Sequence, residues 1–193
     1  MNFRFLSSFS GFIEKHSSGW KIFFYTLASI LISASMQFLE QLIPVAAGQK
    51  LPLKMDFRPF FSPQELVDVF QFYGEVGRNL YFWQDVLDMF LPIAVCFMIA
   101  SFYTRTAIRF KLPVSFNVLP FGFLVFDWIE NSLMFYFLSS WPIVPYSLAT
   151  FTGRITAIKL TFVFIGYGML IASLVSFFLS FVARKIFGSK ERV

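Results

Sequence analysis

Four long stretches of this chain are almost entirely apolar, at residues 20–43, 80–103, 118–141 and 160–183. Each is close to the length of about 20 residues that an α-helix needs to cross the hydrocarbon core of a bilayer, roughly 30 Å thick. A bilayer core offers no water to unpaired backbone groups, so helices are the structure expected there. The pattern therefore predicts an all-α protein, a four-helix transmembrane bundle that forms one domain over residues 1–193.

Two shorter segments mix apolar and polar residues at helical spacing and predict short amphipathic interfacial helices. The first covers residues 3–13 on the inner side. The second covers residues 62–73, inside the predicted outer loop of residues 46–77. It begins with Ser62, Pro63 and Glu65 in the positions of an N-cap, a first helical residue and a capping-box partner. We expect this helix to lie on the outer membrane surface or to fold over the mouth of the bundle.

The composition agrees with an integral membrane protein. The chain is 57% hydrophobic and only 14% charged, whereas charged residues make up about 25% of a typical soluble domain. The net charge of +5 comes from basic residues that flank the apolar stretches and form no continuous stripe, so we expect no nucleic-acid partner. The expected partners are membrane lipid, together with a small-molecule ligand or other membrane subunits, and no cofactor is implied.

The positions of lysine and arginine predict the orientation of the chain. Basic residues concentrate before the first stretch, between the second and third, and in the tail: Arg4, Lys15, Lys21, Arg105, Arg109, Lys111, Arg184, Lys185, Lys190 and Arg192. The positive-inside rule then places both termini on the cytoplasmic side. The outer loop also carries three basic residues, which makes it the least typical part of this assignment. A cleaved signal peptide is the alternative for the first stretch, but its apolar residues continue past Ser35 to Ile43.

Polar residues inside the apolar stretches are the main indication of function. An ionisable side chain in the hydrocarbon costs roughly 2.5–3.5 kcal/mol on insertion scales, so such residues usually face the bundle interior and pair. Those of the second and third stretches recur at spacings of three, four or seven residues, which places them on one face of each helix. With the predicted topology, all four helices carry them at a similar depth. The candidate pocket comprises Glu40, Arg78, Tyr81, Asp85, Asp88, Asp127, Glu130, Asn131, Arg154 and Lys159.

We infer from this arrangement a polar pocket that opens outward, in which acidic residues of the second and third helices meet basic residues of the second and fourth. Three interpretations fit the pattern. The pocket binds or passes a small solute, a proton or a lipid head group; or the charges only hold the helices of an accessory or scaffold subunit together; or two carboxylates perform acid–base catalysis. A single histidine, His16, and a single cysteine, Cys96, exclude the common zinc sites and the Ser-His-Asp and Cys-His arrangements.

Three short motifs resemble a group of small four-span membrane proteins of uncharacterised function. They are Gly77-Arg78-x-x-Tyr81 followed by Asp88, Asp127-x-x-Glu130-Asn131, and Thr156-x-x-Lys159, within residues 56–170. The resemblance implies a four-helix membrane bundle in which these positions are shared features, and it implies no activity.

Overall fold

The structure, a computed structural model, describes residues 3–187 and is entirely helical, with no strand in this part of the chain. The predicted all-α fold is therefore confirmed. Lys190 and Arg192 of the predicted basic tail lie outside the described residues. The six α-helices are α1 (Phe3–Lys15), α2 (Gly19–Gln41), α3 (Pro63–Asp88), α4 (Leu91–Phe110), α5 (Phe121–Ser140) and α6 (Tyr146–Phe187), with short 3-10 turns at Met55–Phe57 and Val114–Val118.

Four helical segments are long and apolar enough to cross a membrane: Gly19–Gln41, Pro63–Phe110, Val114–Ser140 and Tyr146–Ala183. The chain thus has the helices of a four-span membrane protein, as predicted. α2 packs on α3 and α4, while α6 packs on α5 and α4. The outer surfaces of α2 and α6 carry large exposed apolar side chains such as Trp20, Phe23, Phe164 and Phe178, which suits contact with acyl chains.

The second span differs from the prediction because two helices follow one another in it. α3 ends at Asp88, and α4 begins at Leu91 with Pro92 in its first turn, where a proline ring is tolerated although it would break a helix interior. α3 also includes the predicted interfacial helix as its first part. A kink at Gly74, with φ 59° and ψ −169°, separates this part from the rest of α3. Glycine adopts such a positive φ without the strain that a Cβ would cause.

The first half of α3 folds over one end of the bundle. Its capping box is present: Glu65 N donates to Ser62 Oγ at 3.2 Å, and Ser62 N donates to a Glu65 carboxylate oxygen at 2.7 Å. Its apolar face is buried in the main hydrophobic core against α5 and the start of α6. That core contains Ile43, Met55, Phe61, Leu66, Val69, Phe70, Tyr73, Tyr81, Met134, Phe137 and Ala149. Of the two expected positions of this helix, the structure shows the one over the bundle.

The fourth span begins earlier than predicted. α6 starts at Tyr146 and has 42 residues, which corresponds to roughly 60 Å at a rise of 1.5 Å per residue. The predicted apolar stretch began at residue 160, but the helix continues in front of it. Arg154 and Lys159, which we expected near the outer end of the fourth helix, therefore lie within α6.

The segment of residues 42–62, which we call the inserted loop, enters the bundle instead of remaining on its surface. Met55 is fully buried, and Lys54 and Asp56 are each only 4% exposed. Phe60 N donates a hydrogen bond to the carbonyl oxygen of Gly153 in α6 at 2.8 Å. A Cβ on Gly153 would lie 2.8 Å from both the nitrogen and the oxygen of Phe61. Glycine at position 153 therefore allows the inserted loop to touch α6.

We predict that Gly153→Ala destabilises the protein by about 1–3 kcal/mol, the usual cost of overpacking a close contact. The added methyl group meets backbone atoms, which cannot rotate away. Gly168→Ala on the same helix is the matched control. Nothing lies within 4 Å of its Cβ position, and alanine is more favourable than glycine inside a helix. Unfolding of both variants in detergent is compared with that of the wild type. Equal stability of the two variants would contradict the close contact.

Candidate functional site

A cluster of buried polar side chains, which we call the polar core, lies between α3, α5, α6 and the inserted loop. None of its members is more than 6% exposed. The polar core consists of Lys54, Asp56, Tyr81, Gln84, Asp85, Asp88, Asp127, Glu130, Asn131, Thr156 and Lys159. Its five carboxyl groups outnumber its two lysines.

Lys159 is the centre of a network that joins α5 to α6. Its Nζ forms an ion pair with Glu130 and lies 3.6 Å from Oδ1 of Asp127. Thr156, one turn before Lys159, donates its hydroxyl to the other Glu130 oxygen. Asn131 Nδ2 donates to Oδ2 of Asp127 at 2.9 Å. Spacings of three and four residues place these side chains on facing sides of the two helices, and every carboxylate of this α5–α6 network has a donor.

The inserted loop supplies the second cation of the polar core. Lys54 Nζ lies 3.4 Å from Oδ2 of Asp56 and 4.7 Å above the centre of the Tyr81 ring. The Tyr81 hydroxyl donates to Oδ1 of Asp56 at 3.1 Å. Burial alone would lower the pKa of Lys54 and raise that of Asp56, but the opposite charges outweigh burial. The pKa of Lys54 is therefore raised and that of Asp56 lowered, and the two groups form a charged pair.

The side of the polar core next to α2 and α3 contains buried acceptors that have no hydrogen-bond donor. Neither oxygen of Asp85 has a hydrogen-bond partner among the described residues. Gln84 donates its Nε2 to the carbonyl oxygen of Met36 at 3.0 Å, and its own Oε1 has no partner there. Asp88 forms no ion pair in the described part of the chain, and the side chain of Asn131 is its hydrogen-bond partner. Buried polar atoms without partners are costly, so this side is the exceptional part of the site.

A cavity of about 270 Å³ adjoins the polar core and lies between α2 and α6. Its polar wall includes Gln37, Glu40, Lys54, Asp56, Gln84, Asp88, Asp127 and Lys159, and its apolar wall includes Met36, Leu91, Val95, Phe123, Leu160, Val163 and Tyr167. A groove along α2 shares Ser33, Gln37, Val95 and Tyr167 with the cavity and continues past the exposed Ile30. We call the cavity with this groove the lateral slot, because it opens on the apolar side of the bundle.

Most of the residues predicted from the sequence meet in this site. Seven are in the polar core: Tyr81, Asp85, Asp88, Asp127, Glu130, Asn131 and Lys159. Glu40 is half-buried and lines the lateral slot. Their geometry agrees with the predicted pocket, while their role stays a prediction.

Two predicted residues lie elsewhere, and their placement in the pocket is corrected. Arg78 turns back across the kink of α3, where Nη1 donates to the carbonyl oxygen of Phe70 at 2.9 Å and its guanidinium lies 5.0 Å from the centre of the Trp141 ring. The kink at Gly74 frees that carbonyl for the bond from Arg78. Arg154 is exposed on the outside of α6, because it points about 140° away from Lys159, five residues further along the helix.

The sequence analysis missed Lys54, Asp56 and Gln84 as members of the site. It assigned the first two to the outer loop of residues 46–77, between the first two apolar stretches. One signal was present: the two charges alternate with the apolar Leu53, Met55 and Phe57, which is unusual for a solvated loop. No group of His, Cys, Asp or Glu side chains in the described part of the chain is placed to hold a metal ion.

Comparison of the chain with protein-family models, curated proteins and solved structures gave no match. The resemblance to small four-span membrane proteins therefore stays a prediction, and the site is interpreted from its own geometry.

We predict that Lys159→Met destabilises the protein by about 3–5 kcal/mol, because it leaves Glu130 and Asp127 buried without a cation. The double variant Lys159→Met with Glu130→Gln should recover part of this loss, since it removes one of the two uncompensated charges. Arg154→Met is the control: it removes an exposed basic residue from the same helix. The free energies of unfolding of all three variants are measured by titration with SDS. A Lys159→Met variant as stable as the control would show that the α5–α6 network contributes little.

Proposed function

We propose that this protein is a non-enzymatic membrane protein whose lateral slot binds a small amphiphile, a lipid-like molecule with a polar head and an apolar chain. The observation that supports this proposal is a cavity with a charged wall that continues into a groove on the apolar outside of the bundle. A cavity of about 270 Å³ is just below the range of about 300–1,000 Å³ typical of small-molecule sites, so it suits a head group with the first part of a chain.

The two walls of the lateral slot match the two ends of such a molecule. Charged and amide side chains from α2, α3 and the inserted loop surround one end, whereas Val95, Phe123 and Val163 line the other. A purely polar solute would leave the apolar wall without contacts, and a hydrocarbon would leave the charges unsolvated. An amphiphile can contact the apolar wall with its chain and the charged wall with its head.

Access from the lipid phase follows from the packing of the helices. α2 and α6 both line the slot, but α2 packs mainly on α4 and α3, and α6 packs mainly on α5 and α4. Apolar side chains of α2 next to the groove, such as Ile30, are more than half exposed. We propose that the amphiphile enters between α2 and α6 within the bilayer, and that both termini lie on the cytoplasmic side as the basic residues indicate.

A structural role as an accessory subunit is the second candidate, and the α5–α6 network favours it for that half of the polar core. There every carboxylate has a partner, which is the arrangement expected of charges that fix the register of two helices. The half next to α2 does not fit this explanation, because Asp85, Asp88 and Glu40 form no ion pair among the described residues. A structural role alone would not explain why these three carboxyl groups lie in the bundle without an ion pair.

Photolabelling tests the proposal. The protein in phosphatidylcholine nanodiscs is exposed to two probes with the same 12-carbon diazirine chain, one with a primary amine head and one with an alcohol head. We predict that at least one probe labels residues of the lateral slot above the level of other lipid-facing residues. Val163→Phe should abolish this labelling because its ring fills the cavity. Val175→Phe, the same change at a residue of α6 that is 49% exposed, should not.

Peptide mass spectrometry locates the label. Labelling by both probes that is spread evenly over the outer faces of the helices, or that is unchanged in Val163→Phe, would contradict the proposed function.

A further inference from the structure

We propose that the amphiphile held in the lateral slot carries a positively charged amine at its head. This inference rests on the proposed function and adds the charge of the head group to it. It follows from the excess of acidic side chains and hydrogen-bond acceptors over available cations and donors around the cavity.

The two lysines that face the cavity are already occupied. Lys54 pairs with Asp56, and Lys159 pairs with Glu130 and Asp127. Both are less than 5% exposed, so neither is free to bind a phosphate or carboxylate without breaking a buried ion pair. An anionic head would therefore find carboxylates and no available cation.

Three acidic side chains in or next to the cavity wall form no ion pair among the described residues. Asp88 and Glu40 line the cavity. Asp85, one helical turn before Asp88, is fully buried and has no hydrogen-bond partner on either oxygen in the described part of the chain. A ligand with one positive charge would reduce the excess of negative charge at this point.

In the described part of the chain, the unpartnered buried polar atom on the cavity wall is an acceptor. The Nε2 of Gln84 is held by Met36, which fixes its unpartnered Oε1 as a carbonyl oxygen. A protonated primary amine brings three N–H donors and no acceptor, whereas an alcohol brings one donor and no charge. The amine therefore fits the shortage of donors best.

One aromatic side chain adds to the preference for a cation. Phe57 of the inserted loop lines the same cavity, and aromatic faces attract cations. The apolar wall at the other end of the cavity is available for the chain of the amphiphile.

The test compares three probes with the same 12-carbon diazirine chain and with amine, alcohol or sulfate heads, at equal mole fraction in phosphatidylcholine nanodiscs. We expect the amine probe to label the lateral slot about tenfold more than the alcohol probe, and the sulfate probe to label it least. Asp88→Asn should reduce labelling by the amine probe to about the level of the alcohol probe. Glu75→Gln, an exposed acidic residue of the same helix, should leave it unchanged.

Glu40→Gln is a second test variant, since Glu40 is only half-buried and its substitution disturbs the bundle less. It should reduce labelling by the amine probe severalfold. Equal labelling by amine and alcohol probes, or labelling by the amine probe that is unaffected in both variants, would overturn the inference while leaving the proposed slot intact. If no probe labels the slot above the lipid-facing background, the proposed function itself fails.

Discussion

The cost of placing ionisable side chains in a membrane governs the architecture of this protein. Each such group must find an opposite charge, a hydrogen-bond partner or water, because the hydrocarbon offers none of these. Lys159 meets this requirement for α5 and α6, where it pairs with Glu130 and Asp127. Lys54 meets it for Asp56. The helices and the inserted loop are arranged around these two cations.

The inserted loop follows from the same constraint. Its buried cation and its buried carboxylate pair with each other, since Lys54 forms an ion pair with Asp56 of the same segment. Irregular backbone is tolerated at such a depth only where protein or a polar cavity surrounds it. Gly153 provides the close contact with α6, and the Tyr81 hydroxyl satisfies Asp56. The loop is therefore part of the polar core and not a simple connection.

The polar core consists of two halves with different properties. The half around Lys159 is closed, since its carboxylates and its hydroxyl group are partnered. The half around Asp85 and Gln84 has acceptors without donors and adjoins the lateral slot. Buried acceptors without donors lower the stability of the protein unless something compensates for them, so the open half is the part of the molecule for which a ligand gives a physical explanation.

The sequence allowed the helices and most of the polar core to be predicted, because both depend on local patterns. Apolar length identified the spans, and the spacing of Asp127, Glu130 and Asn131 identified a common helix face. The placement of Lys54, Arg78 and Arg154 depended on contacts far apart in the chain or on the kink at Gly74. The spacing of apolar and polar residues in a sequence does not indicate that a loop enters a bundle. It also does not indicate that an arginine turns back to a carbonyl eight residues before it.

The difference between the two halves is tested most directly by the free energies of unfolding of Asp88→Asn and Glu130→Gln, measured for the ligand-free protein in the same detergent. Glu130→Gln removes a partner of the buried Lys159 and should lower the stability by about 3 kcal/mol. Asp88→Asn removes a charge that has no cation in the described structure, and should leave the stability unchanged or raise it. An equal loss of stability in both variants would contradict the account.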